Sequence, residues 1–410
     1  MQPVHQVLSA LAQPAETKLV LVVLDGLGGL PAAELNGLTE LEAAHTPNLD
    51  QLARRSSLGL IDPVLPGVTP GSSAGHLALF GYEPLEWVIG RGILEALGTG
   101  FNPGPGDVAV RGNFATVKYE NGTPVVVDRR AGRPTTAHTA RACARLQESI
   151  PRIGDVEVIV LPVKEHRFAV IFRGPGLDER VADTDPQKEG KTPLPPQALC
   201  EAASKTAAVA AEFVSRAAEV LKDEPGTNYV LLRGFSSKPD LPPLGDLYHL
   251  KAAAIAVYPM YRGLAALAGM DILSFPGERI ADELAALKAN WESYDYFFIH
   301  IKATDSRGED GNARGKVAVL EEFDRYLPQL LDLKPDVLVI TGDHSTPASL
   351  KSHSWHPVPL LLHSPWVLPD SDASGFNERA CQRGSLGHLR AVNVMGLMLA
   401  HGRRLAKFSA

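Results

Sequence analysis

The stretch DVLVITGDHSTPASLKSHSWHPVP, residues 336–359, runs from an apolar, strand-like segment straight into Asp343-His344, and His353 follows nine residues after His344. An acid and an imidazole at one strand end are a modest signal alone, because such pairs also serve as caps and hydrogen-bonded turns. This pair has company. Asp25 closes the apolar run KLVLVVLDG at 18–26, Asp305 closes YDYFFIHIKATD at 294–305, and Glu309 stands four residues beyond Asp305. Carboxylates and imidazoles arriving from separate strand ends suit two divalent cations such as Mn2+ or Zn2+. Two such cations about 4 Å apart can clamp the attacking and leaving oxygens of a phosphoryl transfer.

A nucleophile candidate lies in PGVTPGSSAGHLALFGYEP, residues 66–84. Ser72 follows the abrupt turn Pro70-Gly71 and precedes a run of helical character. A helix start offers backbone N–H groups and a dipole that favour an anion. It is also where serine usually acts as an N-cap, so the local sequence leaves Ser72 and Ser73 open between the two roles. The third element is basic. DRRAGR at 128–133 carries Arg129, Arg130 and Arg133, Arg233 ends the strand-like NYVLLRG, and Arg91 lies in IGRGILEALGTG. Clustered arginine is commonly a solvated loop, and the alternative is forked recognition of phosphate and carboxylate. A basic loop in an acidic chain favours the second.

The elements that must position these residues alternate. Apolar runs at 18–26, 294–305, 336–344 and 356–364 are separated by helical stretches such as 280–291 and 315–333. Continuous apolar strands alternating with helices predict an α/β, doubly wound, mostly parallel sheet, with ligands at the carboxyl ends of its strands. The middle of the chain differs. FNPGPGD at 101–107 and PDLPPLGD at 239–246 are Pro-rich breaks. Between them come β-like runs at 107–119 and at VEVIVL and FAVIFRG, the turn signal Asn121-Gly122, a long Ala-rich helix over about 197–221 and a strand at 228–234. This predicts a smaller α+β domain at 105–248 inserted into a core formed by 1–104 and 249–410.

The 410 residues carry a formal charge of −7, with 45% hydrophobic and 21% charged residues. No basic field points to nucleic acid. Three scattered cysteines, Cys143, Cys200 and Cys381, form neither a disulfide framework nor a zinc motif, and they point to a reducing cytoplasmic setting. The N-terminal MQPVHQVLSALAQPAETK has no basic flank or long apolar core, so no secretory signal is expected, and no apolar run approaches membrane-spanning length.

Taken together, VLDGLGG, the 66–84 stretch, GRGILEALGTG, DVAVRGNFATV, DRRAGR, IKATDSRGEDGN, TGDHSTP and HSWHPVP resemble cofactor-independent phosphoglycerate mutases of the archaeal-type branch of the alkaline phosphatase superfamily. The resemblance spans nearly the whole chain. It implies an alkaline-phosphatase-like core with the inserted domain closing as a lid. It implies interconversion of 3-phosphoglycerate and 2-phosphoglycerate without bisphosphoglycerate, with Ser72 as the phosphorylated serine. Asp25, Ser72, Asp343 and His344 would surround one cation; Asp305, Glu309 and His353 would hold the other. His353 is preferred to His356 because it stands four residues before Pro357 in H-x-x-x-P-V-P. Arg129, Arg130, Arg133, Arg233 and Lys251 would bind substrate phosphate and carboxylate. The chain departs from D-x-x-G-H-D-G at Glu309, where a carboxylate replaces an imidazole. That favours Mn2+ or Mg2+ over Co2+ or Zn2+. The expected partner is the small phosphorylated substrate, with neither nucleic acid nor membrane, and self-association into a homo-oligomer is left open. Two alternatives stand beside this reading: a metal-dependent phosphatase or other phosphomutase of the superfamily, and a degenerate phospholigand binder.

Overall fold

A computed structural model describes residues 4–409, so the first three residues of the N-terminal stretch lie outside the described residues. Two compact units divide the chain: 1–88 with 241–410, and 89–240. In chain order the first contributes strands β1 (Leu19–Leu24) and β2 (Ser57–Asp62). The second contributes β3 (Val108–Glu120), β4 (Thr123–Asp128), β5 (Arg152–Ile153), β6 (Val156–Pro162), β7 (Arg167–Arg173) and β8 (Tyr229–Ser236). The first then resumes with β9 (Ala252–Ala256), β10 (Asp271–Ile272), β11 (Tyr296–Ile301), β12 (Val337–Thr341), β13 (Val358–His363) and β14 (Gly387–Arg390).

The first unit's strands form one sheet in the order β10-β9-β11-β1-β12-β13-β2-β14. Every residue of β1, β11 and β12 is buried, as a sheet covered on both faces requires of its central strands. The register pairs Leu24 of β1 with Ile301 of β11, and Val23 with Thr341 of β12, all parallel. Asp25, Lys302 and Asp343 therefore emerge from the same edge. β13 runs antiparallel to both β12 and β2, so the sheet is mixed although mostly parallel. Its reversed direction brings the segment that follows His344, including His353, back to that edge. Helices Ile280–Asn290 and Ala313–Leu331 fall where the apolar spacing places them.

The second unit is an antiparallel sheet, β4-β3-β7-β6-β5, with β8 also paired to β3. Val108, Val110 and Phe114 of β3 share a core with Phe168, Val170, Phe172, Val230 and Leu232, under helices Thr136–Ser149 and Ser204–Leu221. Asn121 (φ 53°) and Gly122 (φ 79°) close the two-residue β3–β4 hairpin, the backbone that such a turn demands. The helix predicted from about 197 starts at Ser204 instead. Ala182 donates to Gln197 O and Leu199 to Arg180 O, so that stretch is held as extended chain.

The unit boundaries also differ from 104/105 and 248/249. Helix Arg91–Gly98 lies on the second unit's sheet: Ile93 N donates to Ser236 Oγ at 2.9 Å, and a Cβ on Gly92 would stand 2.1 Å from Ala109 O. At the other end, Tyr82 donates to Pro242 O at 2.7 Å and Leu244 N to Ala268 O at 2.9 Å, tying 241–248 to the first unit. Among the described residues no helix is long and apolar enough to cross a membrane.

Gly112 lies beneath the Phe168 ring, and a Cβ there would stand 2.1 Å from Cζ. Gly112→Ala is expected to destabilise the second unit by about 1–3 kcal/mol through overpacking. Urea denaturation followed by a probe in that unit checks this; an unchanged midpoint would show that the ring moves freely.

Candidate active site

Helix Ser72–Leu79 begins at Ser72, and its N-cap is Gly71 in extended conformation. Ser72 is thus the first helical residue and its hydroxyl is not used for capping. Its Oγ lies 3.2 Å from His344 Nε2, which places Ser72 at the cluster. One turn on, His76 Nδ1 is 2.8 Å from Ser72 O and 3.1 Å from Asp343 Oδ2. Between them, Gly75 permits direct backbone contact: a Cβ there would stand 2.0 Å from Asp343 O.

Asp25 and Asp343 are buried at the carboxyl edge of β1 and β12, and Asp305, expected to close its strand, is buried on helix Ala303–Glu309 just after β11. His344 Nε2 is 3.3 Å from both Asp25 Oδ1 and Asp343 Oδ2. Two groups of ligand atoms each lie within 4.8 Å: Asp25, Asp343 and His344, and Asp305, His344 and His353. Asp25 Oδ1 and Asp343 Oδ2 are buried without a hydrogen-bond donor. Orphaned carboxylate oxygens beside imidazole nitrogens fit divalent cations, since a buried anionic oxygen needs a positive partner.

Thr346 sets the imidazole. Its Oγ1 donates to Asp305 Oδ1 at 2.7 Å and lies 2.9 Å from His344 Nδ1. With its own proton committed to Asp305, Thr346 accepts from Nδ1–H, which leaves Nε2 as the ligating face. The electrostatics agree. Burial alone would raise the Asp25 carboxyl, but Lys302, His300 and His344 hold it well below the usual range. Asp343 is also lowered: burial and Asp25 push it up, and His344 and His76 outweigh them. Burial opposes charge on His344, yet Asp343 and Asp25 lift it to about 9, so a proton and a metal compete for one nitrogen.

Three further residues surround Asp25. Tyr261 donates to Oδ2 at 2.5 Å, Lys302 Nζ reaches the same atom at 3.0 Å, and His300 Nε2 is 3.2 Å away. Lys302 also reaches Asp305 Oδ2 at 2.5 Å, so it bridges the two acidic groups. The signal for Lys302 was present: it directly follows a strand and stands three residues before Asp305. Tyr261 and His300 stack at 3.6 Å, a contact between β11 and a helix distant in sequence that no local pattern reveals.

Of the expected ligands, Glu309 lies at the rim. Its side chain is 56% exposed, with Oε1 3.8 Å from His353 Nε2 and outside the tight cluster; His353 Nε2 is itself 3.7 Å from Asp305 Oδ1. His356 lies outside both groups, with Nδ1 3.1 Å from Ser354 Oγ. Lys251 is not brought to the site. It precedes β9, level with Asp295 at the amino edge of the parallel strands, and its ammonium sits 5.1 Å over the Tyr294 ring.

In the second unit, Arg129 grips Asp185 with two hydrogen bonds of 2.8 and 2.7 Å, and Arg233 lies 3.6 Å from Asp185 and 3.5 Å from Asp183. Asp185 was missed because its role appears only when two distant arginines meet it. Arg130 and Arg133 are exposed on a loop in which Ala131, Gly132 and Arg133 all take positive φ (49°, 68° and 53°). Asp128 fastens this loop by accepting from the backbone of Arg130 and Gly132, both at 2.7 Å. Left-handed non-glycine residues persist where surrounding contacts enforce them, commonly at binding sites.

A family model described as 2,3-bisphosphoglycerate-independent phosphoglycerate mutase matches residues 53–227. The probable 2,3-bisphosphoglycerate-independent phosphoglycerate mutase of Aquifex aeolicus is 56% identical, over 98% of this chain and 100% of its own length. That of a Thermus thermophilus strain is 57% identical, over 98% of this chain and 99% of its own length. Among solved structures, a Pyrococcus horikoshii protein aligns with TM-score 0.82 at 30% identity, over 96% of this chain and 99% of that one. The cofactor-independent phosphoglycerate mutase of Thermoplasma acidophilum aligns with TM-score 0.70 at 30% identity, over 94% and 100%.

Thr346→Val removes the acceptor that fixes His344 and is expected to weaken divalent-cation binding about 10–100-fold, with the fold intact. Mn2+ titration calorimetry measures this. Unchanged affinity would mean that the His344–His353 stack, at 3.6 Å, orients the ring without Thr346.

Proposed function

The chain belongs to the 2,3-bisphosphoglycerate-independent phosphoglycerate mutase family, and from that premise we propose that it interconverts 3-phosphoglycerate and 2-phosphoglycerate through a phosphoserine on Ser72. The observation that carries the reading is the Ser72 hydroxyl 3.2 Å from His344 Nε2, beside buried, orphaned carboxylate oxygens. Asp25, Ser72, Asp343 and His344 would hold one divalent cation; Asp305 and His353, with Glu309 swinging in from the rim, would hold the second. Two bound cations would supply the positive charge that activates the serine and neutralises the phosphoryl oxygens. The carboxylate at position 309 favours Mn2+ or Mg2+.

The chain's own groups carry the rest. Ser72 Oγ attacks phosphorus in line, the Oγ–P bond forms, and the bond to the substrate oxygen breaks. Lys302 places a fixed ammonium beside Asp25 and Asp305, on the side where charge develops. The helix start at Ser72 offers its free N–H groups to the phosphoryl oxygens. Glycerate stays bound and reorients, its other hydroxyl attacks the phosphoserine, and Ser72 is regenerated. Water must be kept out during this interval, or the phosphoserine hydrolyses. The inserted unit is proposed as the lid that does so, bringing Arg129, Arg130, Arg133 and Arg233 to the substrate.

The test is conversion of 3-phosphoglycerate by chelated, then Mn2+-reloaded protein, without bisphosphoglycerate, with free phosphate followed in parallel. Restored mutase turnover with little phosphate release is expected. Phosphate release alone would make the protein a phosphatase. Ser72→Ala is expected to abolish turnover while leaving the stability gain from Mn2+ largely in place. Turnover that survives this substitution would show that another group is the nucleophile.

A further inference from the structure

The two oxygens of Asp25 have opposite surroundings. Oδ2 is crowded: Tyr261 donates to it at 2.5 Å, Lys302 Nζ lies at 3.0 Å and His300 Nε2 at 3.2 Å. Oδ1 is buried with no hydrogen-bond donor and faces His344 Nε2 at 3.3 Å. Asp343 repeats the division: its Oδ1 accepts from Gly26 N at 3.2 Å, and its Oδ2 is the orphan. Each acid thus offers one oxygen, not two, to whatever lies beside His344.

The direction of the phenol's hydrogen bond is fixed. An ammonium only donates, and Lys302 Nζ lies 3.2 Å from the Tyr261 hydroxyl oxygen. That oxygen therefore accepts from Lys302, and its own proton is left for Asp25. The ring is fixed as well. Tyr261 is 1% exposed on helix Pro259–Leu267, stacks on His300 at 3.6 Å and lies 4.9 Å from the His76 ring. Packing asks only for the ring, and a phenylalanine would fill the same space. The hydroxyl is what reaches the acid.

Resting on the two-cation reading above, we propose that Tyr261 is a positioning residue that sets which cation the site accepts. By holding Asp25 Oδ2 it keeps Asp25 a one-oxygen ligand. Ca2+ gathers about six to eight oxygens and often takes a carboxylate through both of its own, whereas Mg2+ is satisfied by about six ligands, several of them water. Softness of the ligands cannot make this choice, because Ca2+ and Mg2+ are both hard cations. A carboxylate fixed at one oxygen does make it: the larger cation is denied the second oxygen, and Mn2+ or Mg2+ keeps its full set.

The experiment uses the full-length protein, cleared of metal and titrated with Mn2+. The paramagnetic resonance signal of free Mn2+ reports binding, and Ca2+ is added as competitor. Tyr261→Phe removes one hydroxyl and keeps the stacked ring. For one of the bound ions the preference for Mn2+ over Ca2+ is expected to fall about tenfold or more, because Mn2+ loses an oriented ligand while Ca2+ gains an oxygen. Metal-induced infrared difference spectra read the same change directly: with Ca2+, the splitting between the two carboxylate stretching bands narrows in Tyr261→Phe, as binding through both oxygens requires. Weakening of Mn2+ and Ca2+ by one common factor would overturn the assignment, since loss of a supporting hydrogen bond alone does that; so would an unchanged preference in the folded variant. Wild-type protein that binds Ca2+ as tightly as Mn2+ would overturn it without any variant. Wild-type protein that binds neither cation would instead overturn the reading on which it rests.

Discussion

Three buried carboxylates at neighbouring strand ends cannot share so small a volume without positive charge among them. Much of the surrounding structure answers that demand. Lys302 bridges Asp25 and Asp305, His344 faces Asp25 and Asp343, and His76 approaches Asp343 from the serine-bearing helix. A second layer holds the loops that carry these acids. Lys316 is fully buried, and its ammonium donates to Gly26 O, Gly28 O and Thr346 O at 2.8, 3.1 and 3.0 Å. It therefore ties the turn after β1 to the turn after β12. Glu40 and Glu378 finish the same loops by accepting from Ala348 N and Gly29 N, each at 2.8 Å.

The acids of the site were legible because each closes an apolar run, and in a parallel sheet all such runs end at one edge. Asp25 and Asp343 followed from that rule, and His344 came with Asp343; Asp305 instead lies past the end of β11, on helix Ala303–Glu309. Asn121-Gly122 was legible because its turn needs positive φ at both positions. Lys251 shows the limit. A lysine next to a strand resembles Lys302 in composition, but it precedes β9 while Lys302 follows β11, and the sheet sends those two ends in opposite directions. The unit boundary shows another limit. Helix Arg91–Gly98 precedes the Pro-rich break, yet its packing partners Ala109 and Ser236 lie beyond it. Only tertiary contact assigns it. The pairing of Arg111 with Arg233 is illegible for the same reason, being a matter of register between strands more than a hundred residues apart.

His344 belongs to both groups of ligand atoms. On the proposed two-cation reading, the two positions would be coupled rather than independent: where its Nε2 is committed changes what remains for the other group. The Ser72 hydroxyl is joined to the same atom, since its Oγ also faces Nε2. Glu309 stands apart from this shared centre, at the rim beside His353. A change of residue type there alters one group while the other keeps its buried donors.

Gly75 sets the serine-bearing helix directly against the end of β12. With no side chain between helix Ser72–Leu79 and the Asp343 carbonyl, close backbone packing fixes where Ser72 stands beside the end of β12. On the proposed mechanism, Ser72 is then a stationary point through which the phosphoryl group passes twice. Each in-line displacement turns the phosphorus inside out, and the second undoes the first. A phosphoryl group made chiral with oxygen isotopes would leave with the configuration it brought, although it has moved from one carbon's oxygen to its neighbour's.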